Sequence, residues 1–236
     1  MAFSFILSLA FNNIRLKKAF YFLLLLLVGQ IAHAQTAISI ATDASVLRSF
    51  SEGQKFWSFG QTVQGFFHVQ PRGSFYARVG YYTNGKSKNP LQATAKDFTT
   101  TPQRLGYTAY SSVRMRHISL GWQHYFVGAY NNEESWNLYG TLGFGLLAGR
   151  AENRHDKTID TALYNVPQKA IAGSEHFKRL TLDVSLGAEM MLGAGIYLYT
   201  DIRTWIPASD YPSPYLYNNN LPRTLMVNGG IRVLLE

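Results

Sequence analysis

From Leu180 to Leu192 every second residue is apolar, running Leu180, Leu182, Val184, Leu186, Ala188, Met190 and Leu192, with Thr181, Asp183, Ser185, Gly187, Glu189 and Met191 between them. Strand side chains point alternately to two faces, so this spacing predicts one long strand. One of its faces is hydrocarbon; the other carries small groups and two isolated carboxylates. Segments of the same chemistry, bounded by turn residues, recur at 37–50, 56–70, 74–84, 112–126, 135–149, 177–192, 195–206 and 223–235. Several are longer than the ordinary soluble strand of about five or six residues and match the 9 to 11 or so that a tilted strand needs to cross a bilayer.

The connections alternate in length. Short ones follow the second, fourth and sixth strands (Pro71-Arg72-Gly73, Val127 to Glu134 and Gly193-Ala194), and long polar ones follow the third, fifth and seventh (Gly85 to Ser111, Arg150 to His176 and Pro207 to Pro222). Transmembrane barrels have this asymmetry, with brief periplasmic turns and long external loops. The first external connection, Ser51 to Lys55, is a short exception. Glycines inside strands, such as Gly140, Gly143, Gly145, Gly187, Gly229 and Gly230, suit a small closed barrel, where they relieve crowding and permit coiling.

Parity then assigns the faces. Ile118, Leu120, Trp122 and Phe126; Trp136, Leu138, Leu142, Phe144 and Leu146; Ile196, Leu198, Ile202 and Ile206; and Leu225, Val227, Ile231, Val233 and Leu235 share a surface expected to face lipid. The opposite surface collects Asp43, Tyr76, Arg78, Tyr82, His117, Ser119, Gln123, Tyr139, Asp183, Glu189, Tyr199, Asp201, Arg203, Asn228 and Arg232, which are expected to face a lumen. A secreted β-sandwich or lipocalin-like barrel also alternates, but its polar face meets water and is rich in Lys, Glu and Thr. Here that face is poor in Lys and mixes Gly, Ser and Tyr with carboxylates and arginines. Trp57, Tyr81, Trp122, Tyr125, Trp136 and Trp205, near strand ends, are expected to form interfacial girdles.

The first 34 residues have the order of a signal peptide: Arg15, Lys17 and Lys18, then apolar Ala19 to Val28, then Ala32-His33-Ala34 as a small-x-small cleavage site. The apolar run is about ten residues, against the roughly 20 of a spanning helix. Residues 35–236 are expected to form a single domain, with no Pro- or Ser-rich linker dividing it. The chain has no cysteine, which excludes disulfides, thiolate metal sites and a lipid-modified N-terminal cysteine. Removing the three basic residues of the signal takes the net charge from +8 to +5, without a basic run. Nucleic acid is therefore not an expected partner. Anionic lipopolysaccharide is.

On the signal Ala32-His33-Ala34, the dyad repeat and the final strand Thr224-Leu-Met-Val-Asn-Gly-Gly-Ile-Arg-Val-Leu-Leu-Glu, the chain resembles the small outer-membrane β-barrel family, the eight-stranded porin-like proteins and the OmpA-type membrane domain. The resemblance spans Gln35 to Glu236 and implies an all-β, antiparallel up-and-down barrel, integral to the outer membrane and inserted by the barrel assembly machinery. The chain departs from the family's aromatic final residue in ending Leu235-Glu236, and no peptidoglycan-binding domain is expected after the barrel.

An eight-stranded barrel is just wide enough to be filled by its own side chains. Asp43, Asp183, Glu189 and Asp201 would face Arg78, Arg203, Arg232 and His117, which predicts a charge network plugging the lumen, since buried ions require partners. His117-Ile118-Ser119 places a His and a Ser on one strand face and resembles the His-x-Ser of barrel lipid A deacylases. A triad would also need an acid, Asp183 or Asp201, facing His117 across the lumen. The expected reading is non-enzymatic, with these residues joined to the polar network. No metal or other cofactor is expected: His155 and His176 lack a converging ligand set. In the last long loop Tyr211, Tyr215 and Tyr217, stiffened by Pro207, Pro212, Pro214 and Pro222, are expected either to present a protein-binding surface or to stand as a soluble loop among lipopolysaccharide sugars. The leading expectation is a barrel serving envelope integrity or anchoring partners through its loops; the alternatives are a narrow porin for small or hydrophobic solutes and a lipid A-modifying hydrolase.

Overall fold

The computed structural model describes residues 37–50, 53–133, 135–166, 171–208 and 223–235. The signal segment and the tyrosines Tyr211, Tyr215 and Tyr217 lie outside the described residues. The strands are β1 (Ala37–Ser49), β2 (Trp57–Gln70), β3 (Gly73–Ala95), β4 (Arg104–Val127), β5 (Asn137–His155), a two-residue bridge β6 (Tyr164–Asn165), β7 (Gly173–Gly193), β8 (Ile196–Pro207) and β9 (Thr224–Leu235). All pairings with a defined register are antiparallel, in the order β2-β1-β9-β8-β7-β5-β4-β3, and β2 pairs back to β3. The ring of eight is therefore closed. β6 lies outside it, pairing with Thr94 and Ala95 at the far end of β3.

Parity assigns the two faces as the sequence predicts. Phe144 is 73 % exposed and Leu120 65 %, while Arg78, Arg203 and Arg232 are each 2 % exposed or less. The apolar side chains thus stand outward and the ions inward, the inverse of a water-soluble fold. Two of the expected girdle aromatics behave differently. Tyr125 and Trp205 are buried in the lumen, whereas Trp57, Tyr81 and Trp136 are exposed on the outside. Tyr125 shares a face with Gln123 and His117, and Trp205 with Arg203 and Asp201, so the alternation already carried this distinction; the assignment to a girdle followed aromatic character alone.

The second correction concerns length. Gly85 to Ser111 and Arg150 to His176 are not mainly loops: β3 and β4 stay paired as far as Thr94↔Arg104, and β5 and β7 as far as Asn153↔Gly173. Polar Ser, Thr and Tyr keep strand propensity without the apolar alternation that marks a lipid-facing segment.

At the short-turn end, Ala194 and Gly195 have φ of 47° and 73°, the positive pair that a two-residue type I′ hairpin demands. Inside the wall, Tyr76, Gly121, Gly143 and Asp183 stand side by side across β3, β4, β5 and β7. A Cβ on Gly143 would lie 2.3 Å from the Tyr76 hydroxyl, and one on Gly121 2.7 Å from it. The two glycines leave the space that the Tyr76 hydroxyl occupies. Gly143→Val should lower stability by about 1–3 kcal/mol through overpacking. Gly229→Ala, where nothing lies within 4 Å of the new methyl, should stay within about 0.5 kcal/mol. Urea unfolding of the refolded chain in detergent micelles checks both.

Candidate functional site

The lumen is the candidate site, and its side chains form layers. Nearest the short-turn end, Arg232 on β9 and Glu189 on β7 form a two-pronged ion pair, with Nε to Oε2 at 2.9 Å and Nη2 to Oε1 at 2.6 Å. Tyr125 and Asn137 also donate to Glu189 Oε1, at 3.1 and 3.0 Å. Arg232 further donates to Ser39 Oγ at 2.9 Å and to the Tyr130 carbonyl at 2.8 Å, and its guanidinium lies 3.9 Å over the Tyr197 ring. His68 sits between Ser39 and Ser74, 2.6 Å from each hydroxyl, and stacks on Tyr130.

The middle layer centres on Asp43. Its carboxylate accepts from Ser45 and Gln64 at 3.0 and 2.9 Å, from Tyr199 at 2.9 Å, and from Thr62. Arg203 Nη2 bridges it, at 3.6 Å, to Asp201 at 2.9 Å, and Asn228 donates to Asp201 as well. Arg78 makes no ion pair among the described residues; its Nε donates to Gln64 Oε1 at 2.9 Å and its guanidinium lies 4.6 Å over the Tyr76 ring. Gln64 thus links the arginine to Asp43 indirectly. The cavity between these two layers has a volume of about 10 Å³, room for at most about one water.

Toward the loops, His117 Nε2 lies 3.0 Å from Thr181 Oγ1 and 3.3 Å from Asp183 Oδ1, and Thr181 donates to that carboxylate at 2.9 Å. An acid therefore stands beside the imidazole, as a triad would require. Ser119 does not complete it: its Oγ has no hydrogen-bond partner, and both His117 and Ser119 are buried. The ring of Trp205, centred 4.6 Å from that of His117, lies against the imidazole.

An apolar layer then crosses the whole lumen, and the sequence reading missed it. Leu47, Phe56, Tyr82, Val113, Met115, Leu147, Ala151, Phe177, Trp205 and Met226 form one buried cluster. Seven of the eight ring strands contribute a residue, and Phe56 immediately precedes the remaining one. The signal was present as apolar residues on the polar parity, such as Leu47 between Ser45 and Ser49 and Leu147 after Leu146.

Beyond the barrel, β6 fastens the β5–β7 connection to the β3–β4 hairpin. Ala93, Tyr107 and Tyr164 form a small core there, with Leu91, Ala95, Leu105, Ile159 and Val166 packed against it. Lys96 Nζ donates to the Thr161 carbonyl at 2.7 Å, tying hairpin to connection. Nearby, hydrogen bonding from Arg154 holds the Glu152 carboxyl below its ordinary range. A cleft of about 520 Å³ opens beside Tyr164, lined by Lys96, His155, Lys157, Ile159 and Ile171. Among the described residues no group of three or more His, Asp or Glu converges as a metal site.

No protein-family profile matches the chain, and no curated protein sequence matches it. Solved structures do. Neisserial surface protein A is 12 % identical, over 83 % of this chain and 96 % of that one, with a TM-score of 0.48. Ail, the attachment invasion locus protein of Yersinia pestis, in complex with the heparin analogue sucrose octasulfate, is 10 % identical, over 86 % and 100 %, with a TM-score of 0.46. The N-terminal β-barrel domain of Pseudomonas aeruginosa OprF is 9 % identical, over 85 % and 100 %, with a TM-score of 0.46.

Removing one partner of the Glu189–Arg232 pair strands a buried charge, so Arg232→Met should cost about 3–5 kcal/mol. Arg232→Met combined with Glu189→Gln should recover a substantial part of that loss. Denaturant titration of the single and double variants decides it.

Proposed function

We propose that this chain is an integral outer-membrane barrel with a closed lumen, which acts as a rigid non-enzymatic anchor in the envelope and presents an ordered external platform to partners. The observation that carries the reading is the inversion of faces: a continuous apolar exterior over a fully closed ladder, around an interior that holds the buried charged groups, most of them ion-paired and Arg78 hydrogen-bonded to Gln64. A closed ring leaves no strand edge unpaired in hydrocarbon, which is the condition for spanning a bilayer with strands. Residues 1–34 supply the export signal in this reading, and the short turns lie on the periplasmic side.

The plug follows from two barriers in series. The cavity between the ion-bearing layers is only about 10 Å³, and the layer above them is lined mainly by apolar side chains, with the cationic Arg179 opposite Leu147, which offers a hydrated cation little to coordinate. A steady pore therefore has no path. The His117–Ser119 chemistry is disfavoured for a related reason: the serine is buried in the lumen, away from lipid acyl chains. The platform built around Tyr107 and Tyr164 gives the partner-binding half of the reading its substance, because a pre-ordered surface loses less entropy on binding.

The unboiled mature chain from isolated outer membranes should migrate differently from the boiled chain on a detergent gel, and reconstituted protein should show no steady conductance in planar bilayers. Phe177→Ala combined with Trp205→Ala, which removes only the apolar barrier, should still show none, because the ion-bearing layers remain in series with it. Steady current through the unaltered protein would favour the narrow-porin reading, and absence of the protein from the outer membrane would favour a secreted lipocalin-like barrel.

A further inference from the structure

On the outward face at the loop end, the apolar belt finishes in a row across three strands: Ile118 on β4, Leu146 on β5 and Leu180 on β7. The next row toward the loops is Arg116, Ala148 and Lys178, and the one after it is Arg114, Arg150 and His176. Two residues along a strand advance about 7 Å, so the cations begin one such step beyond the last hydrocarbon. Arg114, Arg116, Arg150, His176 and Lys178 are all exposed. Arg114 and Arg150 stand directly opposite each other, where like charges repel unless an anion lies between them.

Between Arg116 and Lys178 the small Ala148 leaves a dip, and the concavity there has a volume of about 620 Å³. No carboxylate lines it. Glu152, the next outward residue along β5, is engaged by Arg154 at 2.6 and 2.9 Å and feels the charge of Arg150 more weakly; Arg114 Nε donates to the neutral Asn84 Oδ1 at 2.8 Å, which leaves its charge uncompensated. This outer surface thus carries two rows of exposed cations, a concave floor and adjoining hydrocarbon, arranged in the order of an amphiphile seen from its head to its tail.

Resting on the membrane reading above, we infer that this face of β4, β5 and β7 is a binding site for a phosphorylated glycolipid of the outer leaflet, a bis-phosphorylated lipid A. One phosphate lies on Arg116 and Lys178, and the other on Arg114 and Arg150. The acyl chains lie along Phe144, Leu146 and Leu180. Guanidinium forks grip phosphate oxygens two at a time, and the anion removes the repulsion between Arg114 and Arg150.

The full chain, refolded into phosphatidylcholine vesicles containing a minor fraction of bis-phosphorylated lipid A, is extracted and its retained lipid measured by native mass spectrometry. The unaltered protein should retain lipid A in preference to dephosphorylated lipid A and to phosphatidylglycerol. A variant carrying R114Q, R116Q, R150Q and K178Q should lose retention by more than about ten-fold, as expected when several charge-assisted contacts go. A control with K55Q, R72Q and R104Q, exposed cations remote from the concavity, should keep it. Equal retention by the quadruple variant, or equal retention of the dephosphorylated lipid or of phosphatidylglycerol, overturns the site. Heat-shifted migration of each variant shows that its barrel is intact; failure of the unaltered chain to float with the vesicles overturns the membrane reading itself, and the site with it.

Discussion

The closure of the backbone ladder is the constraint on which everything else depends. A strand in hydrocarbon has no water to satisfy its N–H and C=O groups, so each must bond to a neighbour, and a sheet with an edge cannot comply. Here β2 returns to β3 and β1 pairs with β9, so no ring strand is left with an open side. Once eight strands close, the radius is set, and with it the space inside. The lumen residues are then chosen by volume and charge together: glycines where the Tyr76 hydroxyl reaches the wall, arginines where an acceptor faces them.

That narrow interior explains why polar and apolar groups are sorted into layers. A lone ion among aromatic rings would bear an uncompensated desolvation cost, so Glu189 and Arg232 meet at one level and Asp43, Asp201 and Arg203 at another. Above them the interior turns apolar, with Trp205 lying between the His117 imidazole and the hydrocarbon residues. Outside, the same economy of rows places cations immediately beyond the last outward-facing apolar residues, Ile118, Leu146 and Leu180.

The sequence made the eight strands, their order and both faces legible, because alternation is a local property that survives without tertiary information. The lumen ions were legible by the same parity. Their pairing was not: that Arg78 is joined to Gln64 rather than to a carboxylate depends on the stagger between β2 and β3, which no single strand reveals. Strand ends past the membrane were read as loops because the apolar signal stops there while the hydrogen-bonded ladder continues. Tyr125 and Trp205 were misplaced when side-chain type was given more weight than position, and the apolar layer was overlooked because each wall contributes only one or two of its members.

Arg232 has a consequence for the order in which the molecule is made. Its guanidinium touches the first strand at Ser39, the turn after β4 at Tyr130, and β7 at Glu189, yet it belongs to the last strand to be synthesised. Contacts so distant along the chain bear the largest loop-closure entropy and form slowly. Until β9 arrives, β1 keeps an open side and Glu189 lacks its counter-charge. The terminal strand is thus the clasp of the molecule: sealing the seam and neutralising the interior are a single event, so a barrel interrupted before that step is left with both an open edge and an unpaired internal charge.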